Sequence, residues 1–137
     1  MSRLTGLRGH VPSLATLGIG VQYFPGYVHR RVHLHSLDVV LLTVVLRGHG
    51  QHLIDQDCFV ETGASVAVTH LGQQHDLLTD DDGMDVLNVY LDLERHTLPV
   101  LPRELQPVLP LFLPHSPLRT PLPVKASPAQ PGCSLLT

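Results

Sequence analysis

The residues best suited to chemistry in this chain are histidines. Residues 29–50 read HRRVHLHSLDVVLLTVVLRGHG, with His33 and His35 one residue apart, ahead of an apolar run and the pair Gly48 and Gly50. A third histidine, His75, closes the segment ETGASVAVTHLGQQH. Neutral imidazoles and a carboxylate suit first-row divalent metals, and an open coordination position then permits chemistry. His33, His35 and His75, with His70 close in sequence, are therefore candidate ligands for a divalent transition metal. A plainer reading stands beside it. Alternate residues of a strand share a face, so His33 and His35 also read as side chains along an exposed strand. His75 also reads as a metal-free hydrogen-bonding group at the mouth of a ligand pocket.

Further candidates surround this set. Arg31 carries a planar fork suited to bidentate contact with a ligand hydroxyl or carboxylate, or it is a solvated surface arginine. Asn88 and Tyr90 alternate with Leu87, Val89 and Leu91. Either set could face a cavity, because a one-residue slip in register exchanges the faces. Asp80-Asp81-Asp82-Gly83 lacks the spaced ligands and distal glutamate of a calcium loop and reads as a solvated turn. Gly48-His49-Gly50 is followed by no helix start and no Lys-Ser/Thr, so it is not a phosphate loop; its glycines suit a sharp turn at a strand end. Ser65 and Cys58 lack the settings of nucleophiles, and no paired carboxylates stand out.

The elements that must position these groups read as strands. The chain has 137 residues, the length of one domain. Apolar residues make up 43% but aromatics only 4%, so the core must be built from Val and Leu. Leu17–Phe24, Asp38–Leu46, Gln51–Ile54, Cys58–Glu61, Ala64–His70, His75–Leu78 and Met84–Asp92 are strand-like runs bounded by turn signals. Asp55-Gln56-Asp57 reads as a hairpin turn. Strands spaced this closely, with no long helix between them, predict an all-β sandwich or barrel. Pro102–Phe112 predicts a short helical segment, with Pro102 at its first position and Pro107 and Pro110 limiting it. Ten of the twelve prolines lie between Pro99 and Pro131, which predicts an extended, mobile tail from residue 114 onward.

Composition excludes some partners. A net charge of -3, with a pI near 6.3, gives no basic face for nucleic acid. The run Val39–Leu46 is too short to span a bilayer, and residues 1–14 carry no apolar signal core. Two cysteines, Cys58 and Cys133, are too few for a disulfide framework and suggest a reducing, cytoplasmic setting.

The order of motifs resembles a known family. Arg30-Arg31 precedes DVVLLTVVLRGHGQHLID, an apolar strand ending in G-x-G with a hairpin after it. ETGASVAVTHLGQQH follows as a glycine turn, a buried strand and a G-x-x-H element, and DVLNVYLDLE ends in acid. Over roughly residues 17–113 this resembles the N-terminal sensor domain of AraC-type transcription regulators. The resemblance implies a cupin-like barrel, that is, a double-stranded β-helix or jelly roll. It further implies capture of a small effector, often a sugar, and homodimerisation. On this reading residues 1–16 are an N-terminal arm, 17–113 the barrel with its short terminal helix, and 114–137 a Pro-rich tail. The family's helix-turn-helix pattern is absent after Phe112, so direct DNA binding is not expected.

Metal-binding cupins resemble one another in two motifs, one with two histidines and a glutamate before a glycine, the other with a histidine after Pro-x-Gly. Counting back from Gly48 puts the glutamate at Leu41, while Gly72 and His75 fit the second motif. Three functions follow. The first is effector sensing with Arg31, His75, Asn88 and Tyr90 as ligand-binding residues and no cofactor. The second is a metal-dependent cupin enzyme, an isomerase or dioxygenase, using His33, His35 and His75, disfavoured by the missing carboxylate. The third is a structural dimerisation module with a filled barrel.

Overall fold

The computed structural model describes residues 3–112. Nine strands occur among them: β1 (Arg3–Thr5), β2 (Ile19–Tyr27), β3 (His35–Leu37), β4 (Val40–Arg47), β5 (His49–Ile54), β6 (Asp57–Thr62), β7 (Ser65–Thr69), β8 (His75–Thr79) and β9 (Met84–Leu91). They form two facing sheets. One has the order β1-β3-β8-β5-β6 and the other β2-β9-β4-β7. Apart from the parallel pair β1 and β3, the strand pairs are antiparallel. The expected all-β barrel is therefore present. The predicted hairpin is also formed, with Ile54 opposite Asp57. Asp55 takes the left-handed conformation that such a tight turn demands, with φ 53°.

The register decides which residues face inward. Gln22, Asn88, Thr43 and Ala67 lie in one cross-strand row, and Gly20, Tyr90, Leu41 and Thr69 in the next. Met84, Val86 and Tyr90 are buried on this inner face. The opposite face of the same sheet pairs Ile19 with Leu91, Val21 with Val89 and Tyr23 with Leu87. On β2 those outward side chains are 43%, 56% and 54% exposed.

Two short pieces were not anticipated. Helix α1 (Pro12–Leu17) starts with proline at its first turn and ends on Gly18, whose φ of 75° closes it through an N–H bond to the Leu14 carbonyl. The segment read as an arm, residues 1–16, thus supplies a strand, a helix and core contacts. Val11 and Leu14 pack with Leu37, Val39, Leu41 and Tyr90, and Leu14 is fully buried. A second cluster holds Val45, Leu77, Met84 and Val86, with Tyr27 against it.

Arg8 ties the N-terminal segment down. Its guanidinium grips buried Asp92 through two bonds of 2.9 and 3.0 Å and also reaches Glu94 at 2.7 Å. Burial on its own would raise the Asp92 carboxyl; the Arg8 bonds and the backbone N–H groups of Arg95 and Glu94 outweigh it and hold the group below its ordinary range. Two glycines are fixed by close approach. Gly48 has φ 92°, and a Cβ on Gly50 would sit 2.1 Å from the Leu78 carbonyl oxygen. The predicted helical segment is a 3₁₀ helix, Arg103–Leu111, with Pro107 and Pro110 inside it. Proline removes the N–H donors that a regular α-helix would use. Cys58 on β6 is not a free thiol, contrary to the reduced-cysteine expectation; Cys133 lies outside the described residues. The expected tail, residues 114–137, also lies outside them. No helix among the described residues is long and apolar enough to cross a membrane.

Candidate functional site

A cavity of about 140 Å³ opens between the two core clusters. Phe24, Tyr27, Leu41, Leu77 and Val86 supply its apolar wall, and Thr43, Asn88, His35, His75 and Asp76 its polar groups. Its position follows from the register. His35 is paired directly with His75 across β3 and β8, while Thr43 and Asn88 face each other across β4 and β9.

His75 is the centre of the site. It is buried, and its ring lies 4.4 Å from that of His35, centroid to centroid. Its Nδ1 is 3.5 Å from Nε2 of His52, and its Nε2 is buried with no hydrogen-bond partner. Burial, helped by neighbouring His52 and His35, pushes the imidazole down from 6.5 to about 3. His75 is thus a neutral ring at physiological pH.

Behind His75 runs a buried polar row. His52 Nδ1 lies 3.4 Å from a Glu61 carboxylate oxygen, and Ser65 donates to the other oxygen at 2.7 Å. His52 and Glu61 are fully buried, on neighbouring strands β5 and β6. These three residues were not expected in the site from the sequence. The available signal was an inward polar residue on each of three strands that otherwise read as core.

Asp76 closes the other side. It is buried and its carboxylate accepts from His29 Nε2 at 3.0 Å, the His33 backbone N–H at 2.6 Å and the Leu77 N–H at 3.0 Å. With His29 also bonded to Thr79 through both backbone groups, the segment between β2 and β3 is fastened across β8. Tyr27 stands beside it, its phenol pushed up to about 12 by burial and by the Asp76 charge.

The candidates from sequence divide as follows. His35, His75 and Asn88 come together at the cavity. Tyr90 is buried next to them without lining the cavity; its hydroxyl donates to Gln22 at 2.8 Å and accepts from Asn88 at 3.3 Å. Arg31 is exposed in the bend before β3 and does not line the cavity. His33 is exposed as well, with its ring 6.5 Å from that of His35. The H-x-H pair therefore does not share one strand face. His33 precedes β3, and it contributes its carbonyl to His35 Nδ1 at 3.0 Å rather than its ring to the cavity.

A metal fits this arrangement poorly. Leu41, at the position where the metal-binding motif carries its glutamate, does line the cavity beside His35 and His75, and it offers no donor atom. Among the described residues, no three His, Cys, Asp or Glu side chains are placed to hold a metal ion. The Asp76 carboxylate already accepts three hydrogen bonds.

The architecture now has a counterpart among solved structures. A cupin protein from Bacteroides fragilis superposes with a TM-score of 0.50 at 17% identity, over 66% of this chain and 78% of that one. This is a cupin barrel. A cupin 2 conserved barrel domain protein from Salinispora arenicola is similar at 15% identity and TM-score 0.43, over 57% of this chain and 85% of that one. A conserved protein of unknown function from Streptococcus pyogenes matches at 20% identity and TM-score 0.48; this chain spans 64% of its length, and the match covers 54% of this chain. No family model and no curated protein matches the sequence. The cupin likeness is one of fold.

Proposed function

We propose that this cupin barrel captures a small organic molecule without a metal, in the manner of the sensor domain of an AraC-type regulator. The observation that carries the reading is the cavity itself. It is walled by apolar residues, it holds a few convergent polar groups, and a buried one, His75, has an unpartnered nitrogen. Small-molecule sites have this composition. At about 30 Å³ per water, the cavity holds the equivalent of about five waters, which sets a small ligand. The structural-module reading, by contrast, needed an interior filled by Leu and Val.

The test is direct. Untagged protein purified without chelator is measured for metal content and then titrated with small ligands by calorimetry, alongside His75→Ala. Binding by metal-free protein, weakened at least tenfold by His75→Ala, is the expected result. One transition metal per chain, lost with His75, would replace this reading with the metal-dependent enzyme.

The dimerisation half of the sensor reading draws on a separate observation. Ile19, Val21 and Tyr23 form an exposed apolar row on edge strand β2, in register with Leu91, Val89 and Leu87. A second copy of this chain, related by a two-fold axis, offers the same apolar face in return. Sedimentation of the wild type and of Val21→Lys tests it: a dimer converted to monomer supports the reading, and a wild-type monomer at high micromolar concentration removes it.

A further inference from the structure

The proposed ligand can be assigned a chemical class from the hydrogen-bonding state of the cavity wall. This step rests on the metal-free capture reading. Each relevant group has its protons fixed by a neighbour.

His35 Nδ1 faces the His33 carbonyl at 3.0 Å. A carbonyl only accepts, so Nδ1 carries the hydrogen, and in that tautomer Nε2 carries a lone pair. Tyr90 has one hydroxyl hydrogen and spends it on Gln22 at 2.8 Å, so Asn88 must donate its amide N–H to Tyr90. That fixes the orientation of the Asn88 amide, and its Oδ1 is left buried without a partner. His52 Nδ1 lies 3.4 Å from a Glu61 carboxylate oxygen without forming an aligned hydrogen bond, and that acceptor favours the hydrogen on Nδ1. In that tautomer Nε2 is an acceptor, and His75 donates to it from Nδ1. His75 Nε2 is left with a lone pair and no partner.

The buried atoms of the cavity wall left without a partner, His75 Nε2 and Asn88 Oδ1, are therefore acceptors, and the hydroxyls of Tyr27 and Thr43 can either donate or accept. The wall's charged member is the carboxylate of Asp76, which accepts from three donors, and no lysine or arginine lines the cavity. A buried acceptor left unpaired has lost its water without replacement, and a ligand that answers it recovers that free energy. An anion would meet lone pairs and a carboxylate with no countercharge.

We infer that the cavity selects a small compound bearing two or three O–H or N–H donors, a polyol or an amino alcohol, and rejects carboxylates of the same size. His52 and Glu61 are the positioning residues that hold His75 in its accepting form.

Glycerol, serinol and glycerate share a three-carbon skeleton and differ in donor and charge. The full chain, with ¹⁵N-labelled histidine in an amine-free buffer, is titrated with each while long-range ¹H–¹⁵N spectra follow the ring nitrogens. The expected result is a pyridine-like Nε2 on His35 and His75 in the free protein, shifted by glycerol or serinol at least tenfold more tightly than by glycerate. Which of those two binds tighter distinguishes a hydroxyl from an ammonium donor. Glycerate binding as tightly as both, or a pyrrole-like Nε2–H on His75, would overturn the donor rule and leave the cavity reading in place. No response of these rings to any of the three would overturn both.

Discussion

His75 ties the stability of the barrel to pH. Its imidazole is held near 3 in the folded chain and returns to 6.5 when the chain unfolds. Below pH 6.5 the unfolded state binds a proton that the folded state refuses, so stability falls as pH falls through the window from about 6.5 to 3. Each pH unit inside that window is worth about 1.4 kcal/mol. Between pH 7 and pH 5 this one ring should therefore remove about 2 kcal/mol of stability. The assay is urea unfolding followed by circular dichroism at both pH values, since the chain has no tryptophan. Wild type is compared with His75→Gln, so that contributions from the other histidines cancel. The expected difference between the two pH dependences is about 2 kcal/mol, the variant being the less acid-sensitive. If the two proteins lost stability in parallel, within about 0.5 kcal/mol, His75 would not be a buried neutral ring and the account of the site would be wrong. Should the variant not fold, an NMR titration of His75 in the wild type decides the same point.

Other consequences are as specific. Arg8→Ala strands the buried Asp92 carboxylate and should cost about 3 kcal/mol in chemical denaturation. The Asp92 contribution is present above the ordinary carboxylate range and is lost as pH falls through its depressed folded value, so the Arg8→Ala deficit should shrink in strong acid. Leu14→Ala should cost about 3 kcal/mol by opening a cavity under α1, and a loss below about 0.5 kcal/mol would mean that the N-terminal segment is not part of the core. Gly50→Ala should cost more than about 2 kcal/mol, because its methyl group meets the Leu78 carbonyl, whereas Gly72→Ala, with open space around it, should lose only its left-handed backbone preference, about 1 kcal/mol.

Much of the barrel was legible because its long strands carry their own punctuation. β4, β5, β6, β8 and β9 lie between glycine or aspartate turns, and the hairpin expected at Asp55-Gln56-Asp57 forms with a turn one residue shorter, Asp57 pairing with Ile54. The missed elements were short. Arg3–Thr5 has three residues, too few to show a period, and Pro12–Leu17 buries one side chain, Leu14. Their existence is decided by what they dock against, and local preference is weak beside such packing. The same holds for Arg8, whose partner is 84 residues away.

The site was legible where a motif or the alternation of a single strand marked it. Gly72 and His75 could be found from their spacing, and Leu41 could be placed in the vacated carboxylate position, because both are counts along one strand or turn. What lies behind His75 could not be counted, since His52, Glu61 and Ser65 sit on three different strands and meet only through the register. Yet each breaks the alternation of its strand by placing a polar group inward. A barrel this poor in aromatics does not bury a histidine–glutamate pair for packing: a leucine at either place would avoid the cost of desolvation. The pair is better explained by what it does to its neighbour. Leu41, where the metal-binding motif carries its carboxylate, offers no donor atom, and the ring of His75 is instead held from behind by its 3.5 Å contact with His52, which lies 3.4 Å from Glu61. On the metal-free reading proposed above, the polar row and the apolar Leu41 act in the same direction: one holds the His75 ring in place and the other withholds the carboxylate that a cation would need.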